Sequence, residues 1–130
     1  MSYCDVYIGD LDDPNFTWTP DDEKYGRYNA PRGLSPTFPP APGPGYGAFT
    51  KLKNKIKEGE YRGDQTDWGT WVAVVTRTKI MDFIKECYPG DWYENHKQLM
   101  RYMTDEYDKI VEIVEGLDPD KKYALVARET

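Results

Sequence analysis

Residues 3–8 alternate, with Cys4, Val6 and Ile8 pointing one way and Tyr3, Asp5 and Tyr7 the other. That pattern predicts a half-buried strand, closed by Gly9-Asp10. Thr19-Pro20-Asp21-Asp22 reads as a helix start, with a hydroxyl cap, proline at the first helical position and acids in the first turn; Gly26 limits it to one or two turns. Residues 30–47 hold six prolines, which lack the ladder donor and turn the preceding residue away from helix, so an extended loop is expected. Pro39-Pro40-Ala41-Pro42 within it reads as a stiff connector, with polyproline II docking to an aromatic groove as the alternative.

Phe49, Leu52 and Ile56 then share one helical face with Lys51 and Lys55 opposite, predicting a short basic amphipathic helix ended by Gly59. A membrane-surface role is the alternative to docking on the core. Residues 71–76 form a near-continuous apolar run, as in a central strand. Thr76 can cap a helix over 77–88, which Pro89-Gly90 stops. Asp91 with Glu94 opens a second helix over 92–115. Its apolar stripe runs from Trp92 and His96 through Leu99, Met103 and Tyr107 to Ile110 and Val114. At 1.5 Å per residue it spans about 36 Å. Gly116 ends it, Leu117 folds back, and Tyr123–Arg128 is a last apolar strand.

Three or four strands with helices gathered on one side predict an α+β fold. It is a two-layer sandwich, with a small, mostly antiparallel sheet, two main helices on one face and a long Pro/Gly-rich loop. The 130 residues are 38% hydrophobic and 31% charged, which suits one domain over 1–130 and excludes whole-chain disorder, collagen and a coiled coil. No apolar run approaches the roughly 20 residues that span a bilayer. The N-terminus lacks the basic and long apolar regions of a secretory signal. A cytoplasmic location is expected, with Cys4 and Cys87 as reduced, inward-facing and inert thiols.

Charge changes the picture, because the net -6 is segregated. Residues 1–23 carry seven acids and no base, and the insertion-like, Pro/Gly-rich segment 24–57 carries seven bases and no acid. Residues 58–130 carry sixteen acids against ten bases. The acidic balance disfavours nucleic acid and favours a basic protein partner. The basic block is expected to fold against the acidic N-terminus.

Catalytic chemistry has few candidates. The one histidine, His96, lies in the apolar stripe of the long helix and reads as a core imidazole. Two cysteines and one histidine, all far apart, exclude structural zinc, and no metal or other cofactor is expected. Asp10, Asp12 and Asp13 open like a calcium loop, but Pro14 and Asn15 break the pattern; a solvated turn is expected there, as at Asp64 and Asp67. Gly43-Pro44-Gly45-Tyr46-Gly47 is a poor phosphate cradle, since its proline removes a donor. Arg62-Gly63-Asp64 matches an adhesion tripeptide by chance.

The leading functional reading is a small acidic binding protein, of the inhibitor or immunity type, that acts on a partner with a basic surface. Its contact residues are Asp105, Asp108 and Glu112 on the outer face of the long helix, with Asp64, Asp67 and Trp68 as a second cluster. The alternative is a binding or sequestering protein for a small, anionic, nucleotide-like metabolite. It would use Tyr25, Arg27, Tyr28 and Arg32 before the proline loop and Tyr46, Lys51 and Lys55 after it. A metal-dependent enzyme acting through exposed carboxylates is the third reading. No motif is specific enough to name a family.

Overall fold

A computed structural model describes residues 4–16, 30–39, 47–67, 69–90, 94 and 101–129. The elements in chain order are β1 (Cys4–Gly9), α1 (Ala48–Lys57), β2 (Arg62–Asp67), β3 (Thr70–Thr76), α2 (Arg77–Cys87), α3 (Arg101–Glu115) and β4 (Lys122–Glu129). The strands form one sheet in the order β1-β4-β3-β2, with every neighbour antiparallel. The α+β sandwich is therefore present, and among the described residues four strands and three helices contribute to one core. No helix among the described residues is long and apolar enough to cross a membrane.

The register sorts the side chains. Val6 and Ile8 of β1, Ala73 and Val75 of β3, and Tyr123, Leu125 and Ala127 of β4 share one face. On them lie Leu52 and Ile56 of α1, Ile80, Phe83 and Ile84 of α2, and Ile110 and Val114 of α3. Complete burial of a side chain such as Leu52 or Phe83 contributes about 1.5–3 kcal/mol. The α1 face is thus docked on the core, not presented to a membrane.

β1 is not half-exposed as its alternation predicts. Tyr7, on the other face, is buried with Val72, Ala124, Val126 and Phe16 in a second cluster, and its hydroxyl donates to the Pro31 carbonyl at 2.8 Å. The chain beyond β1 supplies this cover. Asp10 and Asp13 there are buried, not solvated. Asp10 accepts from the Arg32 guanidinium at 2.6 Å and from the Asp12 amide at 2.9 Å, while Asp13 accepts from the Arg32 and Asn15 amides. These bonds fasten residues 10–16 to residues 30–33.

The described part of the proline-rich loop has a defined job. Prolines cannot donate, but Leu34 and Phe38 can: their amides bond the carbonyls of Ile8 (2.7 Å) and Val6 (2.8 Å), and Ser35 Oγ accepts from the Ile8 amide. Residues 31–38 therefore cover the free edge of β1. Phe38 enters the core against the rings of Phe83 and Tyr88, and the Tyr88 hydroxyl donates to the Pro39 carbonyl. The rest of that loop, residues 40–46, lies outside the described residues, as does the helix start at Thr19-Pro20. Of the helix expected over 92–115, Arg101–Glu115 and residue 94 are helical, and His96 lies outside the described residues.

Two local features differ from the sequence reading. The second edge strand, β2, is polar (Arg-Gly-Asp-Gln-Thr-Asp) and gives no apolar signal, yet it pairs from Arg62↔Val74 to Asp67↔Thr70 with a bulge at Gln65/Asp67. The Arg62-Gly63-Asp64 tripeptide is thus part of a strand. Lys55 is buried rather than opposite the apolar face, because it neighbours Ala48 around the α1 wheel and its ammonium reaches Glu86 at 2.8 Å and Glu60 at 3.0 Å. Burial disfavours its charge, but the hydrogen bonds to Glu86 and Glu60 outweigh that and hold its pKa above the ordinary lysine value. Thr76 caps α2 as expected, its hydroxyl accepting from the Lys79 amide.

A Cβ on Gly63 would sit 2.2 Å from the Val72 carbonyl oxygen, whereas one on Gly90 would meet nothing within 4 Å. Gly63→Ala should lower stability by about 1–3 kcal/mol and Gly90→Ala should change it by less, within about 0.5 kcal/mol, as measured by urea unfolding. A pH dependence also follows from Asp10, whose pKa is lowered chiefly by the Arg32 hydrogen bond. Its stabilisation is present above the unfolded carboxylate value of about 3.9 and is lost as pH falls through the depressed folded value. Asp10→Asn should therefore lower the unfolding midpoint at pH 7 and flatten its decline toward acid.

Candidate protein-binding face

α3 is amphipathic along its described length. Ile110 and Val114 are buried, Tyr107 and Val111 are half-buried against the core, and the Tyr107 ring meets Tyr88 edge-on at 5.4 Å. At 100° per residue, Asp105, Asp108, Glu112 and Glu115 then fall on the opposite side within about 80°. All four are exposed.

This arrangement works against the helix. Asp105–Asp108 and Glu112–Glu115 are i,i+3 neighbours and Asp108–Glu112 is an i,i+4 neighbour, each like-charge pair costing about 0.2–0.5 kcal/mol. Lys109 offsets part of this from one flank. Acids at the end of a helix also oppose its macrodipole, and the last turn of α3 holds no base. The exposed carbonyls there are instead met by Arg77 of α2, whose guanidinium donates to the Leu117 carbonyl at 3.1 Å and the Glu115 carbonyl at 3.4 Å.

At the C-terminal end of the acid row, reached only by Glu115, α2 and α3 enclose a groove of about 410 Å³. Half-buried Met81, over the buried Val114, gives it an apolar floor, with Arg77, Asp82, Lys85 and Glu115 around it. An apolar recess with a charged rim is the arrangement that seats an interface anchor. Met81 and Val114 are both legible as apolar positions, but their meeting depends on how the helices cross, which periodicity does not report.

The other predicted residues are placed as follows. Asp64 lies on β2, half-buried, with Oδ1 accepting from the Gln65 amide, and it faces the side of the sheet away from the helices. It does not join the α3 row. Asp67 pairs with Thr70 in β2, and its side chain, like Trp68, lies outside the described residues. Tyr25, Arg27, Tyr28 and Tyr46 also lie outside them. Arg32 is bound to Asp10, Lys55 lies between Glu60 and Glu86, and Lys51 is half-buried on α1. Arg32 and Lys55 share no partner.

Among the described residues no three His, Cys, Asp or Glu side chains are grouped to hold a metal ion. Cys4 and Cys87 are free thiols. Burial pushes the Cys87 pKa up to about 12, and burial with the nearby Glu129 raises that of Cys4. Both are therefore protonated near neutrality.

Glu112→Lys converts two like-charge neighbours, Asp108 and Glu115, into opposite-charge ones, makes one new like-charge neighbour at Lys109, and puts a base at the negative end of α3. It should raise stability by about 0.5–1 kcal/mol in chemical unfolding. Comparison with protein-family models, with curated proteins and with solved structures finds no match, so the function rests on the geometry of the site itself.

Proposed function

We propose that this protein is a small acidic binding protein, of the inhibitor or immunity type, that holds a basic protein surface against α3. The observation that carries the reading is the row Asp105, Asp108, Glu112 and Glu115, exposed together on one side of a helix whose other side is in the core. A partner that brings lysines or arginines to the row relieves the mutual repulsion of these carboxylates. Half-buried Met81, in the groove whose rim holds Glu115, offers an apolar contact at one end of the row.

Complementary charge of this kind accelerates encounter and selects partners, and it weakens as salt shortens the reach of the field to about 8 Å at physiological ionic strength. A cytoplasmic setting suits the reading, supported by two free thiols, one of them buried in the core.

The test is capture from native lysate by the wild-type protein and by the triple reversal Asp105→Lys, Asp108→Lys, Glu112→Lys. The wild type should retain a basic protein in stoichiometric amount, released by salt, and the reversal variant should lose it by at least about tenfold, equivalent to 1.4 kcal/mol. Retention of the same protein by both would remove α3 as the binding face.

A further inference from the structure

The proline-rich segment beside β1 is fastened differently at its two ends. At the first, bonds are plentiful. The Arg32 carbonyl accepts from the Asp10 amide at 2.8 Å, the Pro31 carbonyl accepts from the Tyr7 hydroxyl, and Arg32 is tied to both Asp10 and Asp13. At the second, the sequence Phe38-Pro39-Pro40 removes donors, since neither proline carries an N–H. The Phe38 amide makes the last backbone bond to β1 among the described residues, to the Val6 carbonyl. Beyond it the Pro39 backbone can only accept, and what it accepts is the Tyr88 hydroxyl at 2.5 Å.

Tyr88 stands where α2 ends. Its amide donates to the Ile84 carbonyl at 2.9 Å, which fixes its backbone to the last turn of the helix. Its buried side chain meets two other parts of the chain at once. The ring lies 6.5 Å from that of Phe38, and it packs edge-on with Tyr107 of α3, their centres 5.4 Å apart. Burial pushes the hydroxyl's pKa up, so it keeps the proton it donates. A phenol is rigid, so the ring that touches Tyr107 and the hydroxyl that holds Pro39 move as one body. A hydrogen bond weakens steeply with angle, and packed cores switch between arrangements rather than deform smoothly. A change in how α3 seats Tyr107 is therefore passed to the Pro39 carbonyl.

We infer that Tyr88 is a catch that couples α3 to the segment 34–39. With its ring seated against Tyr107 the segment stays closed on β1, and loss of that seat lets the segment open while the sheet remains folded. Opening frees the Val6 and Ile8 carbonyls and the Ile8 amide, the groups that Phe38, Leu34 and Ser35 cover. The first end stays fixed through Arg32, so the opening runs from Phe38 back to Leu34. For the proposed function this gives the α3 face a second output, exposure of the β1 edge. That meaning rests on α3 as the binding face; the coupling does not, and its test needs no partner.

Amide hydrogen exchange, followed residue by residue by NMR, tests the inference, because local opening and global unfolding expose different amides. In the wild type the Leu34 and Phe38 amides should exchange faster than those of β4. Tyr88→Phe, which removes only the hydroxyl, should speed both about fivefold, the weight of one ordinary buried hydrogen bond. Tyr107→Leu, which keeps an apolar side chain on α3, should speed them about threefold or more, the weight of an edge-to-face aromatic pair. That second effect should vanish when the two substitutions are combined. Val75→Ala, in the core but across β4 from β1, should speed exchange in β4 and leave Leu34 and Phe38 as in the wild type. Unchanged exchange of Leu34 and Phe38 in Tyr107→Leu would overturn the coupling. Equal acceleration of these amides and of β4 in every variant would overturn it too, since the segment would then open only with the whole fold. Either result leaves the α3 reading as it was.

Discussion

The pairing of β3 with β4 sets the terms for the rest of the molecule. These two strands occupy the middle of the sheet, and five consecutive residues of β4, Tyr123–Ala127, are buried. A strand buried on both faces needs two covers. The helices provide one, through Leu52, Phe83, Ile84, Ile110 and Val114, and residues 10–16 with Phe16 provide the other. Each cover brings its own fastening. Arg32 ties the second to the chain at residues 30–33, and Lys55, Glu60 and Glu86 tie α1 to α2. Proline-rich chain along β1 closes the edge that the sheet order leaves open.

The acid row on α3 belongs to this frame. Because Ile110 and Val114 must face the core, the helical period forces Asp105, Asp108, Glu112 and Glu115 to the opposite side, whatever they do to one another. The same frame produces a cleft at the end of the sheet. The early end of the β2–β3 ladder leaves space beside Val75 and Thr76, lined from β2, α2 and β4.

Much of this was legible in the residues. Apolar runs at 71–76 and 123–128 locate the central strands, the 3.6-residue period locates α1, α2 and the described α3, and Thr76 and Gly59 mark helix boundaries. The exposure of Asp105, Asp108 and Glu112 follows from the same period. What pattern could not show was tertiary. β2 is held by backbone pairing and carries polar side chains, so it has no hydrophobic signature. Tyr7 looks outward-facing until the chain returns over it, and Lys55 looks solvent-facing until Glu60 and Glu86 converge on it. The expected neutralisation between the acidic N-terminus and the basic block is realised at Arg32 with Asp10, whereas Lys55 pairs within the later part of the chain. A cleft lined from β2, α2 and β4 has no linear motif at all.

The proposed function rests on the acid row of α3, four carboxylates exposed on one side of the helix at like-charge spacing. Thermal stability measured across sodium chloride from about 10 mM to about 300 mM tests it directly, since the Debye length shrinks from about 30 Å to under 10 Å over that range. The wild-type midpoint should gain more from salt than that of the neutral variant Asp105→Asn, Asp108→Asn, Glu112→Gln, and the variant should be the more stable of the two at low salt. A variant that is less stable at low salt, with an unchanged salt response, would contradict the claim.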